Sequence, residues 1–162
     1  MFKGTYRHRI DPKGRLPVPA AFRRALAEEG AREIVVTLFD QCLAGYAPGE
    51  WARLEQQLAA LPTFSRPAKS LTRVLTSQAA DCEMDVQGRV LLPAPLRRAA
   101  HLDREAVVVG VLNRFEIWAP KRWDVFLQES ESLLEDISLD VQWPPPPAGS
   151  PRPVLPQAKP KR

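Results

Sequence analysis

Asp-x-x-Gly-Arg occurs twice in this chain, each time followed by an apolar stretch with proline and a pair of arginines. The first copy is Asp11-Pro12-Lys13-Gly14-Arg15, with Pro19 and Arg23-Arg24 beyond it; the second is Asp85-Val86-Gln87-Gly88-Arg89, with Pro93 and Arg97-Arg98. Glycine there supplies a positive φ that other residues resist. A carboxylate just ahead accepts hydrogen bonds from backbone amides about two residues on, which closes a turn without help from elsewhere. Arg15 and Arg89 then project from a rigid hairpin. A planar guanidinium with five donors in a fixed fork suits phosphate or the edge of guanine. A plainer outcome has the same spacing: each Asp pairs with the Arg four residues on, and the arginine pairs make solvated helix faces. Charge around the first copy favours a polyanion, because Lys3, Arg7, Arg9, Lys13, Arg15, Arg23 and Arg24 stand against Asp11 alone in residues 1–24. Ion pairing by itself would call for more acids.

The elements that must position these loops are also duplicated. Asp11, Arg15, Pro19 and Arg23 recur 74 residues later as Asp85, Arg89, Pro93 and Arg97. Tyr46, Pro48 and Trp51 recur 72 residues later as Trp118, Pro120 and Trp123, the shift arising near Glu28-Glu29. Two copies of so long a unit describe a duplicated half-domain with an internal pseudo-twofold, not a solenoid. The β-branched runs Ile34–Leu38 and Ala106–Val111 predict buried strands, followed by short strands Leu43–Tyr46 and Phe115–Trp118. Proline at 48 and 120 opens a helix in each copy, with Trp51, Leu54, Leu58 and Leu61, or Trp123, Phe126 and Leu127, at helical spacing. Another helix is expected over 67–79, after a break at Ser65-Arg66-Pro67, and the arginine pairs begin or flank short helices.

Residues 1–62 form the first repeat with its following helix, and 63–127 the linker helix and second repeat. Residues 128–143 form an acidic C-terminal helix, with Glu129, Glu131, Glu135, Asp136 and Asp140 and no base over 128–142. Eight of the 17 prolines fall in 144–162, a composition that cannot bury a core and predicts a disordered basic tail.

Several function classes fall away. At 162 residues, 44% hydrophobic and 26% charged, the chain is an ordinary globular protein with a net charge of +4. No apolar run approaches the roughly 20 residues that span a bilayer, and Met1–Arg7 lacks the apolar centre of a secretory signal. A soluble cytoplasmic protein is expected. Cys42 and Cys82 stand at unrelated places in the two copies and read as buried free thiols; with only His8 and His101 beside them, neither zinc nor a disulfide framework is supported. No Ser/His/Asp or Cys/His set repeats, and no glycine-rich phosphate loop is present. No catalysis, cofactor, metal, membrane or small-molecule substrate is expected.

These residues resemble the MraZ family, within the AbrB/SpoVT-type swapped-hairpin superfamily. The likeness covers roughly residues 1–140. It rests on the opening Met1-Phe2-Lys3-Gly4, on the motifs Asp11 to Pro19 and Asp85 to Pro93, and on the strand ends Leu43-x-x-Tyr46 and Phe115-x-x-Trp118 ahead of Pro48 and Pro120. The resemblance implies an α+β fold, a duplicated swapped-hairpin β-barrel with flanking helices, assembled as a homo-oligomeric ring. It also implies a bacterial transcriptional regulator that binds direct repeats in the promoter of the division and cell-wall gene cluster. Its Asp-x-x-Gly-Arg loops would face double-stranded DNA, which assigns Lys13, Arg15 and Arg89 to the contact. Charge adds Lys3, Arg7 and Arg9, while Asp11, Gly14, Asp85 and Gly88 shape the loops. Two departures stand out: Gln87 replaces Lys13, and the proline-rich extension beyond about residue 143 is outside the family pattern. The competing class is an antitoxin-like protein-interaction module or structural ring, which would use the acidic 128–142 segment and the tail rather than read DNA.

Overall fold

The computed structural model describes residues 1–62 and 64–137; the expected disordered tail, 144–162, lies outside them. In chain order the elements are β1 (Phe2–Arg9), β2 (Arg15–Pro17), α1 (Ala20–Glu28), β3 (Glu33–Phe39), β4 (Cys42–Tyr46), α2 (Pro48–Ala59), α3 (Arg66–Ser77), β5 (Ala80–Glu83), β6 (Arg89–Leu91), α4 (Ala94–Ala99), β7 (Glu105–Leu112), β8 (Arg114–Trp118) and α5 (Pro120–Ile137). Residues 1–125 form one compact unit, and the packing below lies within it.

Six strands make an antiparallel sheet in the order β1-β7-β8-β4-β3-β5, and β2 pairs with β6 in a separate ribbon. The order reads the same from either end once copies are exchanged. Each copy gives its first strand to the other: β1 pairs with β7 from Phe2↔Leu112 to Arg9↔Glu105, and β5 pairs with β3 from Glu33↔Glu83 to Val36↔Ala80. The centre is β4 against β8, with Gly45 opposite Phe115. Among the described residues no ladder joins the outer strands β1 and β5.

Both β-branched runs are strands because their side chains are buried on both faces. Ile34, Val36, Leu43, Val108, Phe115 and Ile117 face the main core, where Phe22 and Leu26 of α1, Leu96 of α4 and Leu16, Val90 and Leu92 of the ribbon region meet them. Val35, Ala44 and Tyr46 point the other way, onto Trp51 of α2; Val107, Val109, Trp118 and Cys42 make the matching cluster beside Trp123 of α5. Helix α3 packs against β3. Ser65 caps it by accepting a hydrogen bond from the Ala68 amide at 3.4 Å, and buried Thr37 donates to the Leu75 carbonyl at 2.6 Å.

The short strands and proline-opened helices lie where the sequence predicts, and α3 sits within two residues of the expected 67–79. Two details differ. The arginine pairs do not flank helices: they lie inside α1 and α4, with Arg23 and Arg97 half-buried and Arg24 and Arg98 exposed. The acidic segment starts on α5, which runs unbroken from Pro120. The basic N-terminus is itself a strand: Phe2, Gly4, Tyr6 and His8 alternate with Lys3, Thr5, Arg7 and Arg9, the period of two that a half-buried strand requires.

Phe22, 1% exposed, joins this strand to the core. Its ring lies 5.1 Å from Phe2 and 5.2 Å from Tyr6, both edge-on, and 5.4 Å from Phe115. Aromatic truncation at such a site costs about 3–5 kcal/mol. Phe22→Ala should therefore show a loss of that size in urea unfolding, and a loss below about 1 kcal/mol would remove Phe22 from its central place.

Candidate nucleic-acid interface

Both Asp-x-x-Gly-Arg segments close in the same way. Asp11 accepts backbone hydrogen bonds from Lys13 and Arg15, both at 2.9 Å, and Asp85 accepts them from Gln87 and Arg89, both at 2.9 Å. The Gly14 and Gly88 amides donate back to the carbonyls of Asp11 and Asp85, at 2.9 and 2.8 Å. Gly14 and Gly88 have φ of +91° and +74°, the left-handed region that other residues enter only at a cost.

The arginines after the glycines do not project freely. Arg15 Nε donates to Asp11 Oδ2 at 2.6 Å, and Arg89 reaches Asp85 Oδ2 through Nε at 2.9 Å and Nη2 at 2.8 Å. Arg89 Nη1 also comes within 3.8 Å of Asp11 Oδ2. Their side chains are 34% and 24% exposed. The plainer pairing thus describes the uncomplexed loops, and Asp11 is shared by guanidiniums from both copies. The backbone amide of Arg15 first, then its side chain, pull the Asp11 carboxyl below the usual carboxylate range. For Asp85 the Arg89 side chain leads.

The loops are side by side because β2 and β6 pair, with Arg15 opposite Leu91 and Pro17 opposite Arg89. Across this ribbon each copy braces the other. The Val18 amide donates to the Gly88 carbonyl at 2.9 Å, and the Leu92 amide to the Gly14 carbonyl at 3.0 Å. Arg23 donates to the Val18 carbonyl at 2.8 Å and lies over Gly88, while Arg97 donates to the Leu92 carbonyl at 3.1 Å and lies over Gly14. A Cβ on Gly88 would stand 2.4 Å from Arg23 Cδ, and one on Gly14 would stand 2.8 Å from the Arg97 guanidinium. The sequence alone places Arg23 and Arg97 at or beside short helices and gives them no role in the turns. Their position nine residues after Gly14 and Gly88 was the available signal.

Lys3, Arg7 and Arg9 are exposed along one face of β1, and Lys13 is exposed in the first loop. Arg7 pairs with Asp124 at 2.8 Å in an open, solvated contact. At the repeat positions in the second copy stand Asp81 for Arg7, Glu83 for Arg9 and Gln87 for Lys13. The same backbone therefore carries cations on one side and acids or a neutral amide on the other. The thiols have no part in this surface: burial pushes Cys42 well up and Cys82 to about 11, so both stay protonated and unreactive. Among the described residues no group of His, Cys, Asp and Glu could hold a metal, and no helix is long and apolar enough to cross a membrane.

Paired turns braced across a duplicated antiparallel framework make a binding scaffold rather than a reaction centre. The sequence matches the family described as "MraZ protein, putative antitoxin-like" over residues 1–74 and again over 75–140. It is 47% identical over 141 residues to a protein of Limosilactobacillus reuteri, covering 87% of this chain and 97% of the relative. A protein of Ligilactobacillus salivarius is 47% identical, covering 85% and 94%, and one of Desulforamulus reducens 45% identical, covering 87% and 97%. All three are named transcriptional regulator MraZ. The chain belongs to the MraZ family, and so to the transcription regulators rather than the enzymes.

Depressed carboxyls make the loops acid-sensitive. Their contribution is fully present above the ordinary aspartate value of about 3.9 and is lost as pH falls through the lower folded-state values. Wild-type melting temperature should drop below about pH 5, and Asp11→Asn/Asp85→Asn should show a shallower drop. Asparagine keeps an oxygen for the backbone amides, so equal slopes in the two proteins would show that the Asp–Arg pairs do not contribute.

Proposed function

We propose that this chain binds double-stranded DNA sequence-specifically through the surface formed by β1 and the 11–15 loop. The observation that carries the reading is the charge difference between repeat positions: Arg7, Arg9 and Lys13 correspond to Asp81, Glu83 and Gln87. Folding does not require cations there, since the same backbone accepts acids in the other copy. Lys3, Arg7, Arg9 and Lys13 hold phosphates, which position the protein, and Arg15 reads a base edge, with Arg89 as its weaker partner. Asp11 and Asp85 hold the guanidiniums in half-buried pairs that still reach solvent. A guanine edge or a phosphate takes the carboxylate's place, and Gly14 and Gly88 keep the turn shape meanwhile.

In this reading each subunit binds weakly, and a homo-oligomeric ring on promoter direct repeats of the division and cell-wall gene cluster supplies affinity by avidity. The reciprocal loan of β1 and β5 supports a swapped-hairpin barrel as the fold class, and a nucleoid location in the cytoplasm follows from the DNA role. A second reading, an antitoxin-like protein-interaction module, has support in the family's description; it requires a protein partner and no preference among DNA sequences.

A salt titration against the chain's own upstream DNA, with random duplex of equal length as control, separates the two. A preference of about 10³ or more is expected, and equal binding to both duplexes would leave only the second reading. Arg15→Ala should lower specific affinity by about 1–3 kcal/mol and relax discrimination, whereas Lys13→Ala should weaken all sequences alike and lower the salt slope by about 1. Wild-type discrimination in the Arg15→Ala protein would remove Arg15 from the readout.

A further inference from the structure

The two copies carry equivalent clefts of opposite charge. The larger, about 1450 Å³, lies beside Asp11 and Pro12 and is lined by Arg9, Arg104, Lys121 and Arg122 among others. The smaller, about 610 Å³, is lined by Arg32, Pro48, Gly49 and Glu83 among others. These are the same place in the two repeats: Arg104 corresponds to Arg32, Pro120 to Pro48 and Ile10 to Met84. Five positions differ in charge. Arg9 replaces Glu83, Lys121 replaces Gly49, Arg122 replaces Glu50, Asp103 stands for Ala31 and His101 for Glu29.

Helix energetics oppose this change. The amino end of a helix carries partial positive charge, which favours acids in the first turn. Helix α2 has Glu50 there, while α5 has no acid and places Lys121 and Arg122 instead. The cleft's own acids do not absorb the charge: among the described residues no ion pair ties Arg9, Arg104 or Lys121 to Asp103 or Glu105. Arg122 uses one donor on the Gln41 carbonyl at 3.1 Å, which fixes its stem and leaves the rest of its fork available. Arg9 belongs both to the exposed face of β1 and to the cleft, so the two basic surfaces are continuous.

We propose that this cleft is a phosphate-binding track, in which Arg104, Lys121 and Arg122 hold the DNA backbone alongside the 11–15 loop. The inference rests on the DNA-binding reading and adds residues that charge near the first motif did not reveal. The equivalent cleft of the first copy is lined by Glu29, Glu33 and Glu83, which would repel DNA.

The test uses the full chain and gives the second copy the residues of the first, as Lys121→Gly/Arg122→Glu. Binding to the upstream duplex and to random duplex is measured across salt, with melting temperature and sedimentation as controls. Affinity for both duplexes should fall together, the salt slope should fall by about 2, since each phosphate contact contributes about 0.9, and the preference between duplexes should stay. The reverse exchange, Gly49→Lys/Glu50→Arg, should raise affinity for both. Should the first variant lose its cooperative melt, Lys121→Ala/Arg122→Ala carries the same expectation. An unchanged slope while Lys13→Ala still lowers it would overturn the cleft and leave the DNA reading standing. No DNA binding by the wild type would remove that reading itself. Altered sedimentation with unaltered DNA affinity would make the cleft a subunit contact and overturn the proposal. Calorimetry with pyrophosphate in the absence of DNA is expected to show no tight site; a tight site abolished by the double variant would assign the cleft to a soluble phosphate ligand instead.

Discussion

Everything at the candidate interface depends on two places where a side chain is missing. Gly14 and Gly88 leave room for an arginine from the opposite copy, and Arg97 and Arg23 fill it while donating to the carbonyls of Leu92 and Val18. The backbone bonds from Leu92 to Gly14 and from Val18 to Gly88 run in the same crossed sense. Neither turn is therefore a local object. Its shape comes from its own aspartate, but its position comes from the other half of the molecule. A positive φ alone would explain a glycine; with a side chain there, the arginine packed over it would have to give way as well.

On this symmetric frame the charges are not symmetric. The backbone repeats closely enough for turn bonds, strand register and even clefts to recur, yet the side chains at the rim differ in sign. The two copies contribute to one core while their surface positions differ in charge. Arg15 and Arg89 are paired with Asp11 and Asp85, and on β1 Arg7 pairs with Asp124, whereas among the described residues Arg9 and Lys121 form no ion pair with the Asp103 and Glu105 that line the same cleft. The surface thus has a paired centre, with cations on the β1 side and acids on the β5 side.

Much of this was legible in the chain. The repeat offset of 74 fixed which residues correspond, the two β-branched runs marked β3 and β7, and Pro48 and Pro120 marked helix starts, because each signal is local. The Asp–Arg pairing was legible only as one of two outcomes, since four-residue spacing in a turn suits either. The clamp arginines were illegible for a different reason: Arg23 and Arg97 act across the duplication, on a glycine 65 residues ahead in one direction and 83 behind in the other. Strand β1 escaped notice because its exposed face is cationic and the glycine at position 4 interrupts its apolar face. The charge of the cleft needed both copies compared position by position, and Arg104, Lys121 and Arg122 lie far from the motif that drew attention.

The exchange of first strands also sets an order of events. Phe2 finds its partner Leu112 only after most of the chain exists. At synthesis rates of about 5–20 residues per second, the amino-terminal strand waits on the order of 5–20 seconds for β7 to leave the ribosome. Through that interval Phe2 and Tyr6 have no completed sheet to enter, and contacts so distant in sequence form slowly even afterwards. The first copy is thus born without its own edge, and it is exposed to pairing with the β7 of a neighbouring nascent chain. A fold in which each half completes the other makes the second half of the message a requirement for folding the first.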